Sequence, residues 1–198
     1  GLRGRGQSPV TSAFIAEALA QGARAFGYQT RNAQPRDLGG SKKRGIGVGI
    51  GYHGAGSRGY DGLVRITPDG KLHIHSGVGN LGTYSYAGTS RVPAEVLQMP
   101  WENCEIHRGR SDRHLPHSSG QGGSNTIFTH SRANWVAAQD LLTKMKEIAA
   151  MDLGGAPDDY EIGDQRVFNS ADPSQGLTYA QTAQSAMELG DKYDGTVY

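Results

Sequence analysis

Two alternating runs, Gly62-Leu-Val-Arg-Ile-Thr67 and Lys71-Leu-His-Ile-His75, flank the tripeptide Pro68-Asp-Gly70. Period-two alternation places every second side chain on one face of a strand, and a Pro-Asp-Gly step turns the chain back on itself. A β-hairpin is therefore predicted here. It constrains everything downstream, because one apolar face of a two-stranded ribbon has to be covered by another layer. The stretch 126–152 can supply that layer. Its Ala138, Leu141, Leu142, Met145, Ile148 and Ala149 recur at helical spacing, and Gly154-Gly155 closes the helix.

The remaining elements follow from the same two periods. Residues 11–27 fit a helix with Ile15, Ala18, Leu19, Gly22 and Phe26 on one face and Gly27 as its stop. Residues 29–44 read as a linker, and Gly45-Ile-Gly-Val-Gly-Ile-Gly51 as a strand packed closely on another layer. Residues 82–98 read as a helix with Ala87, Val92, Val96 and Leu97 partly inward, where Pro93 calls for a kink or a later start. A short strand is predicted over 103–109, a hairpin through Gly163-Asp164 within Tyr160–Asn169, and a last helix Tyr179–Leu189 capped by Thr178. The expected fold is α+β, a mixed sheet with a β-hairpin and helices packed on it, in the order β-β-α-β-α. Residues 1–44 read as lead-in, helix and linker, 45–155 as the α+β core, and 156–198 as hairpin and terminal helix.

Composition removes several functions. With 20 basic and 19 acidic residues, net charge +1, there is no field to gather nucleic acid. No apolar stretch reaches the roughly 18–20 residues that cross a bilayer, so no membrane insertion is expected. One cysteine, Cys104, excludes a disulfide framework or a cysteine-held cluster within this chain; it reads as strand filler. The ends, Gly1-Leu-Arg-Gly4 and Gly195-Thr-Val-Tyr198, do not read as natural termini, so a piece of a longer protein is expected.

Thirty glycines gather in loops, where the backbone closes tightly on itself or on a ligand. Gly49-Ile-Gly-Tyr-His-Gly54 satisfies the dinucleotide fingerprint, but no helix opens after it, so no Rossmann site is expected. No G-x-S-x-G elbow is present. His73 and His75 share a strand face and could ligate a metal, although no spacing selects a third ligand among His107, His114, His117 and His130.

Two loops are more specific. Ser76-Gly-Val-Gly-Asn-Leu-Gly-Thr83 joins a strand end to a helix start, and Ser118-Ser-Gly-Gln-Gly-Gly-Ser-Asn-Thr126 leads into another helix. Free N–H groups at a helix start suit an anionic ligand, and glycines let the backbone approach it. The same segments can also be read as no more than well-capped helices with glycine loops.

Taken in order, Lys43–Gly49, Asp61–Gly70, His75–Gly82, Ala94–Leu97, Pro100-Trp101, Arg132–Trp135, Asp158–Glu161, Leu177–Gln181 and Glu188–Gly195 resemble the molybdopterin-binding large subunit of the xanthine dehydrogenase/aldehyde oxidase family. The resemblance covers roughly residues 11–198. Leu2-Arg-Gly-Arg-Gly6 also resembles that family's F-R-G-x-G substrate-pocket motif.

The resemblance implies that Gly79, Asn80, Leu81, Gly82 and Thr83 hold molybdopterin. They match a G-x-E-M-G-Q-G loop, from which this chain lacks the acid and the glutamine. It implies a second cofactor loop at Gly122, Gly123, Ser124, Asn125 and Thr126. The family's G-G-G-F-G-G-K loop and its G-V-G-E segment, which carries the general base, are absent, so no catalytic residue is expected in this chain. The resemblance further implies the remainder of a molybdenum subunit as partner, with iron–sulfur clusters and FAD on partner subunits. The intact enzyme would oxidatively hydroxylate an aldehyde or N-heterocycle. The alternatives are a non-catalytic binding or assembly module, and a stand-alone metal-binding protein using His73 and His75.

Overall fold

The computed structural model describes residues 13–34, 36–51, 59–110, 112 and 115–189. The Leu2–Gly6 motif, the second half of the Gly49–Gly54 run, His114 and the 190–198 segment lie outside them. The chain divides into two compact units, residues 1–54 and 55–198.

The first unit holds helix α1 (Ile15–Phe26) and a short helix α2 (Tyr28–Asn32). Gly27 at φ +68° ends α1, as its sequence position predicts, and its N–H bonds the carbonyls of Ala23 and Arg24. The chain then re-enters a helical turn within the stretch predicted to be a linker. Ile15, Leu19 and Phe26 form the expected apolar stripe, yet no residue of α1 is buried. The strand predicted over 45–51 does not form. Alternation assigns faces, but a strand also needs a partner for its backbone groups, and these seven residues pair with nothing among those described.

The second unit contains the predicted β-β-α-β-α core. Strands β1 (Leu63–Ile66) and β2 (Leu72–His75) form the hairpin, with Gly70 at φ +80° in the turn and its N–H on the Thr67 carbonyl at 2.8 Å. Helix α3 (Ser85–Val96) crosses over, and β3 (Cys104–His107) returns parallel to β2, giving the order β1-β2-β3. A π-helical turn, Thr126–His130, leads into the long helix α4 (Ser131–Leu153). Strands β4 (Tyr160–Gly163), β5 (Arg166–Asn169) and β6 (Gly176–Thr178) form an antiparallel sheet, and α5 (Tyr179–Glu188) follows.

Leu72 and Ile74 of β2, Leu97 and Met99 after α3, Ala138, Met145 and Ala149 of α4, and Tyr160, Val167, Leu177 and Tyr179 make one core. The second sheet is thus joined to the first through α4. Gly62 is required at the contact between the hairpin and α4, because a Cβ there would lie 2.4 Å from the Ala133 carbonyl oxygen. Thr178 caps α5 as predicted: its hydroxyl accepts from the Gln181 N–H (3.2 Å), and the Gln181 amide oxygen accepts from the Thr178 N–H (2.8 Å).

Pro93 neither delays nor divides α3. Lacking an N–H, it leaves the Thr89 carbonyl without its helical donor. Asn134 of α4 supplies the replacement, its Nδ2 lying 3.0 Å from the Thr89 oxygen with both residues buried. A side chain 41 residues further along thus accommodates the proline in mid-helix.

Candidate functional site

Strand β2 ends with its buried face continuing into a loop. Leu72, Ile74, Ser76 and Val78 are all buried, and from Gly79 to Tyr84 the chain is exposed. The Asn80 side-chain oxygen accepts from the N–H groups of Gly82 (3.0 Å) and Tyr84 (3.3 Å), folding the loop back toward the first turn of α3. Tyr84, at φ 51°, takes the left-handed conformation that starts the helix. The N–H groups of Asn80, Leu81 and Thr83 donate to nothing among the described residues.

The second loop lies against the first. The Ser118 hydroxyl donates to the Gly77 carbonyl at 2.8 Å, and Gln121 Nε2 donates to the Gly79 carbonyl at 3.2 Å. A Cβ at Gly77 would fall 2.5 Å from the Pro116 carbonyl oxygen, so glycine is what allows this approach. Gly123 and Ser124 both have φ +58°, turning the chain into the π-helical start of α4. Asn125 anchors this turn from within: its Nδ2 donates to Ser119 Oγ (3.0 Å), and its Oδ1 accepts from the Thr129 hydroxyl (2.9 Å).

Beneath both loops sits His130, 1% exposed. The Thr89 hydroxyl donates to the Ser85 carbonyl (2.9 Å), which leaves its oxygen to accept from His130 Nδ1–H (2.8 Å). His130 Nε2 then carries the lone pair and accepts from the Ser76 hydroxyl at 3.4 Å. Ser76 Oγ in turn accepts from the Val78 N–H at 3.1 Å. Burial pushes the imidazole down to about 4, so it is neutral near pH 7, in keeping with this tautomer. The ring therefore ties the end of β2, α3 at Thr89 and the π-turn into one polar scaffold.

The ten residues singled out in the sequence fall into two sets. Gly79, Asn80, Leu81, Gly82, Thr83, Gly122, Gly123 and Ser124 lie on the exposed or half-exposed rim. Asn125 and Thr126 are buried, Thr126 Oγ1 lying 3.4 Å from the Tyr60 hydroxyl. They shape the second loop from below. Sequence reasoning missed Ser118, Gln121, Thr89 and His130 as the groups that join the loops. Cys104 is half-buried against the Pro100 carbonyl, and burial raises its thiol to about 11, so it is no thiolate nucleophile.

The molybdopterin cofactor-binding domain family matches residues 21–198, and the chain belongs to that family. Among characterised proteins it is similar to the aldehyde oxidoreductase molybdenum-binding subunit PaoC of Escherichia coli K12. The two are 28% identical over 181 residues, covering 89% of this chain and 24% of that one. The probable hypoxanthine oxidase XdhD of the same strain is 26% identical over 170 residues, 82% of this chain and 17% of that one. The chain thus spans about a fifth of the length of these relatives.

Among solved structures, the fold matches the Cu,Mo-CO dehydrogenase with a TM-score of 0.59 and 24% identity, over 68% of this chain and 18% of that one. It also matches quinoline 2-oxidoreductase from Pseudomonas putida 86, with a TM-score of 0.57 and 23% identity, over 67% and 17%.

Proposed function

We propose that this chain is one segment of a molybdenum hydroxylase large subunit and that its two joined loops form part of the cradle for molybdopterin. The observation that carries the reading is the pairing of Gly77 with Ser118 and Gly79 with Gln121, which sets two rims of unspent donors side by side. The donor set fits the group: backbone N–H groups of Asn80, Leu81 and Thr83, with the hydroxyl of Ser124, suit phosphate oxygens and the polar edges of a pterin. The rim lacks the acid and glutamine of the family loop. Gln121 places an amide against Gly79 from the neighbouring loop instead.

When bound, the cofactor supplies the two-electron oxidation that adds oxygen to carbon. The residues of this chain hold and orient it. His130 stays neutral and keeps both loops in register, and no residue here moves a proton to substrate. The general base, the iron–sulfur clusters and the flavin belong to the remainder of the subunit and to partner chains. The intact enzyme hydroxylates an aldehyde or an N-heterocycle. An open groove of about 1040 Å³ between β1, α4 and α5, with Val136 and Met187 exposed along it, offers a surface for the remainder of the subunit.

The test is the native polypeptide, located in its source cells by peptides from 126–152. A mass several times 21.1 kDa, with stoichiometric molybdenum and pterin, is the expected result. Replacing Ser118 and Gln121 together by alanine should lower pterin content while leaving the subunit folded. A second reading, a non-catalytic module that pairs with a larger subunit or carries cofactor, draws on the missing loop acid and glutamine. Native mass near 21 kDa with bound pterin and no turnover would favour it.

A further inference from the structure

The face of β2 opposite the core carries His73 and His75, and the parallel partner β3 sets Glu105 and His107 beside them. The register pairs His73 with Glu105 and His75 with His107, so all four side chains share one face. His73 Nδ1 and His107 Nε2 are 2.7 Å apart. Glu105 Oε2 lies 3.7 Å from the first and 4.0 Å from the second. Lys71 holds the other carboxylate oxygen at 2.7 Å, which orients the carboxylate.

We propose that His73, Glu105 and His107 form a binding site for one divalent transition-metal ion of the zinc type. Two imidazoles and a carboxylate are a common three-ligand set for such ions. One ligand atom from each residue already lies within 4.8 Å of the other two.

The surrounding hydrogen bonds fix the lone pairs. The Thr67 hydroxyl donates to Asp69 Oδ1 and so accepts from His73 Nε2–H at 2.9 Å. The His73 Nδ1 lone pair therefore points at His107. Without a metal, His107 Nε2–H fills that lone pair. With one, His107 moves its proton to Nδ1, and both nitrogens face the ion. Zinc–nitrogen bonds of about 2.0–2.1 Å hold tetrahedral ligand atoms about 3.3 Å apart, so the two rings need part by only about half an ångström. The carboxylate–hydroxyl–imidazole chain Asp69–Thr67–His73 is the outer support that ligating histidines characteristically have.

A second observation points the same way. His75 stacks on His107 at 4.7 Å, and its Nε2 is buried with no hydrogen-bond partner among the described residues. Sequence reasoning paired His73 with His75 and left His107 as one of four unselected third ligands. The signal it lacked is the matching Glu-x-His alternation at 105–107, which becomes meaningful only once β3 is known to run parallel to β2.

Metal-stripped full chain titrated calorimetrically with Zn²⁺ alone should bind one equivalent. Substituting Co²⁺ should give the intense visible absorption of a four-coordinate site. Glu105→Gln and His107→Gln, both at partly exposed positions, should lose the saturable phase with circular dichroism unchanged. Thr67→Val should weaken binding about ten- to a hundredfold, and His117→Gln should leave it unaltered. Absence of saturable binding in the parent chain would overturn the proposal. So would unchanged affinity in both the Glu105 and His107 variants, which would place the ion elsewhere.

Discussion

The two faces of β2 differ in what they ask of the rest of the chain. One face, Leu72, Ile74, Ser76 and Val78, is closed off by α3 and α4 and ends in the polar scaffold around His130. The other, His73 and His75, packs against β3 and against Thr67 and is only partly closed. The buried face sets the geometry of the paired loops, so its chemistry is fixed by packing. The more open face instead carries titratable groups held by one another and by Thr67. One strand thus separates the support of the proposed cofactor cradle from a candidate ion site.

The contrast can be broken at several points. Ile74→Ala should cost about 2–5 kcal/mol in urea denaturation, the range for emptying a filled core position. His75→Ala should cost much less, and equal losses would mean that the open face is as tightly packed as the core.

Acid should act through the buried imidazoles of both faces. The folded His130 imidazole sits near 4 and the unfolded one near 6.5, so the unfolded chain binds more protons between these values. The contribution of a neutral His130 is complete above about pH 6.5 and is lost as pH falls toward 4, amounting to about 3 kcal/mol. His75, also lowered to about 4 by burial, adds a loss of the same sign. Urea midpoints measured from pH 7 to pH 4 should fall accordingly, and His130→Gln should flatten that dependence. An unchanged slope in the variant would place the acid sensitivity elsewhere.

Asn134→Ala, which leaves the Thr89 carbonyl buried without a donor, should cost about 1–3 kcal/mol by the same measurement. The smallest effect belongs to the open face. Glu105→Gln should leave the urea midpoint of the metal-free chain unchanged and should remove the stabilisation that added Zn²⁺ confers. A midpoint that rises equally with Zn²⁺ in parent and variant would show that the open face has no special affinity.

Much of the fold was legible in the residues. The hairpin around Pro68-Asp-Gly70, the long helix α4, the stop at Gly27 and the cap at Thr178 each rest on contacts within a few residues, where period and turn chemistry decide. The alternation at 45–51 misled because a strand is a relation between two segments. The unbroken α3 was hidden because what accommodates Pro93 is an asparagine on another helix. The rim residues Gly79–Thr83 and Gly122–Ser124 were visible as glycine-rich helix starts. Ser118 and Gln121 lay inside the second loop, but their partners Gly77 and Gly79 on the first could not be read from it, and nothing in the local sequence of Thr89 and His130 distinguishes them from ordinary polar residues.

The sequence by itself determined which segments would be helix, hairpin and loop, and it carried the marks of the family, because these follow from local periodicity and from residues in a fixed order. Only the tertiary structure decided that β3 runs parallel to β2, that the two loops touch, and that His73, Glu105 and His107 meet. Such contacts join residues some 30 to 40 positions apart, and their stability comes from a shared core that no local pattern encodes.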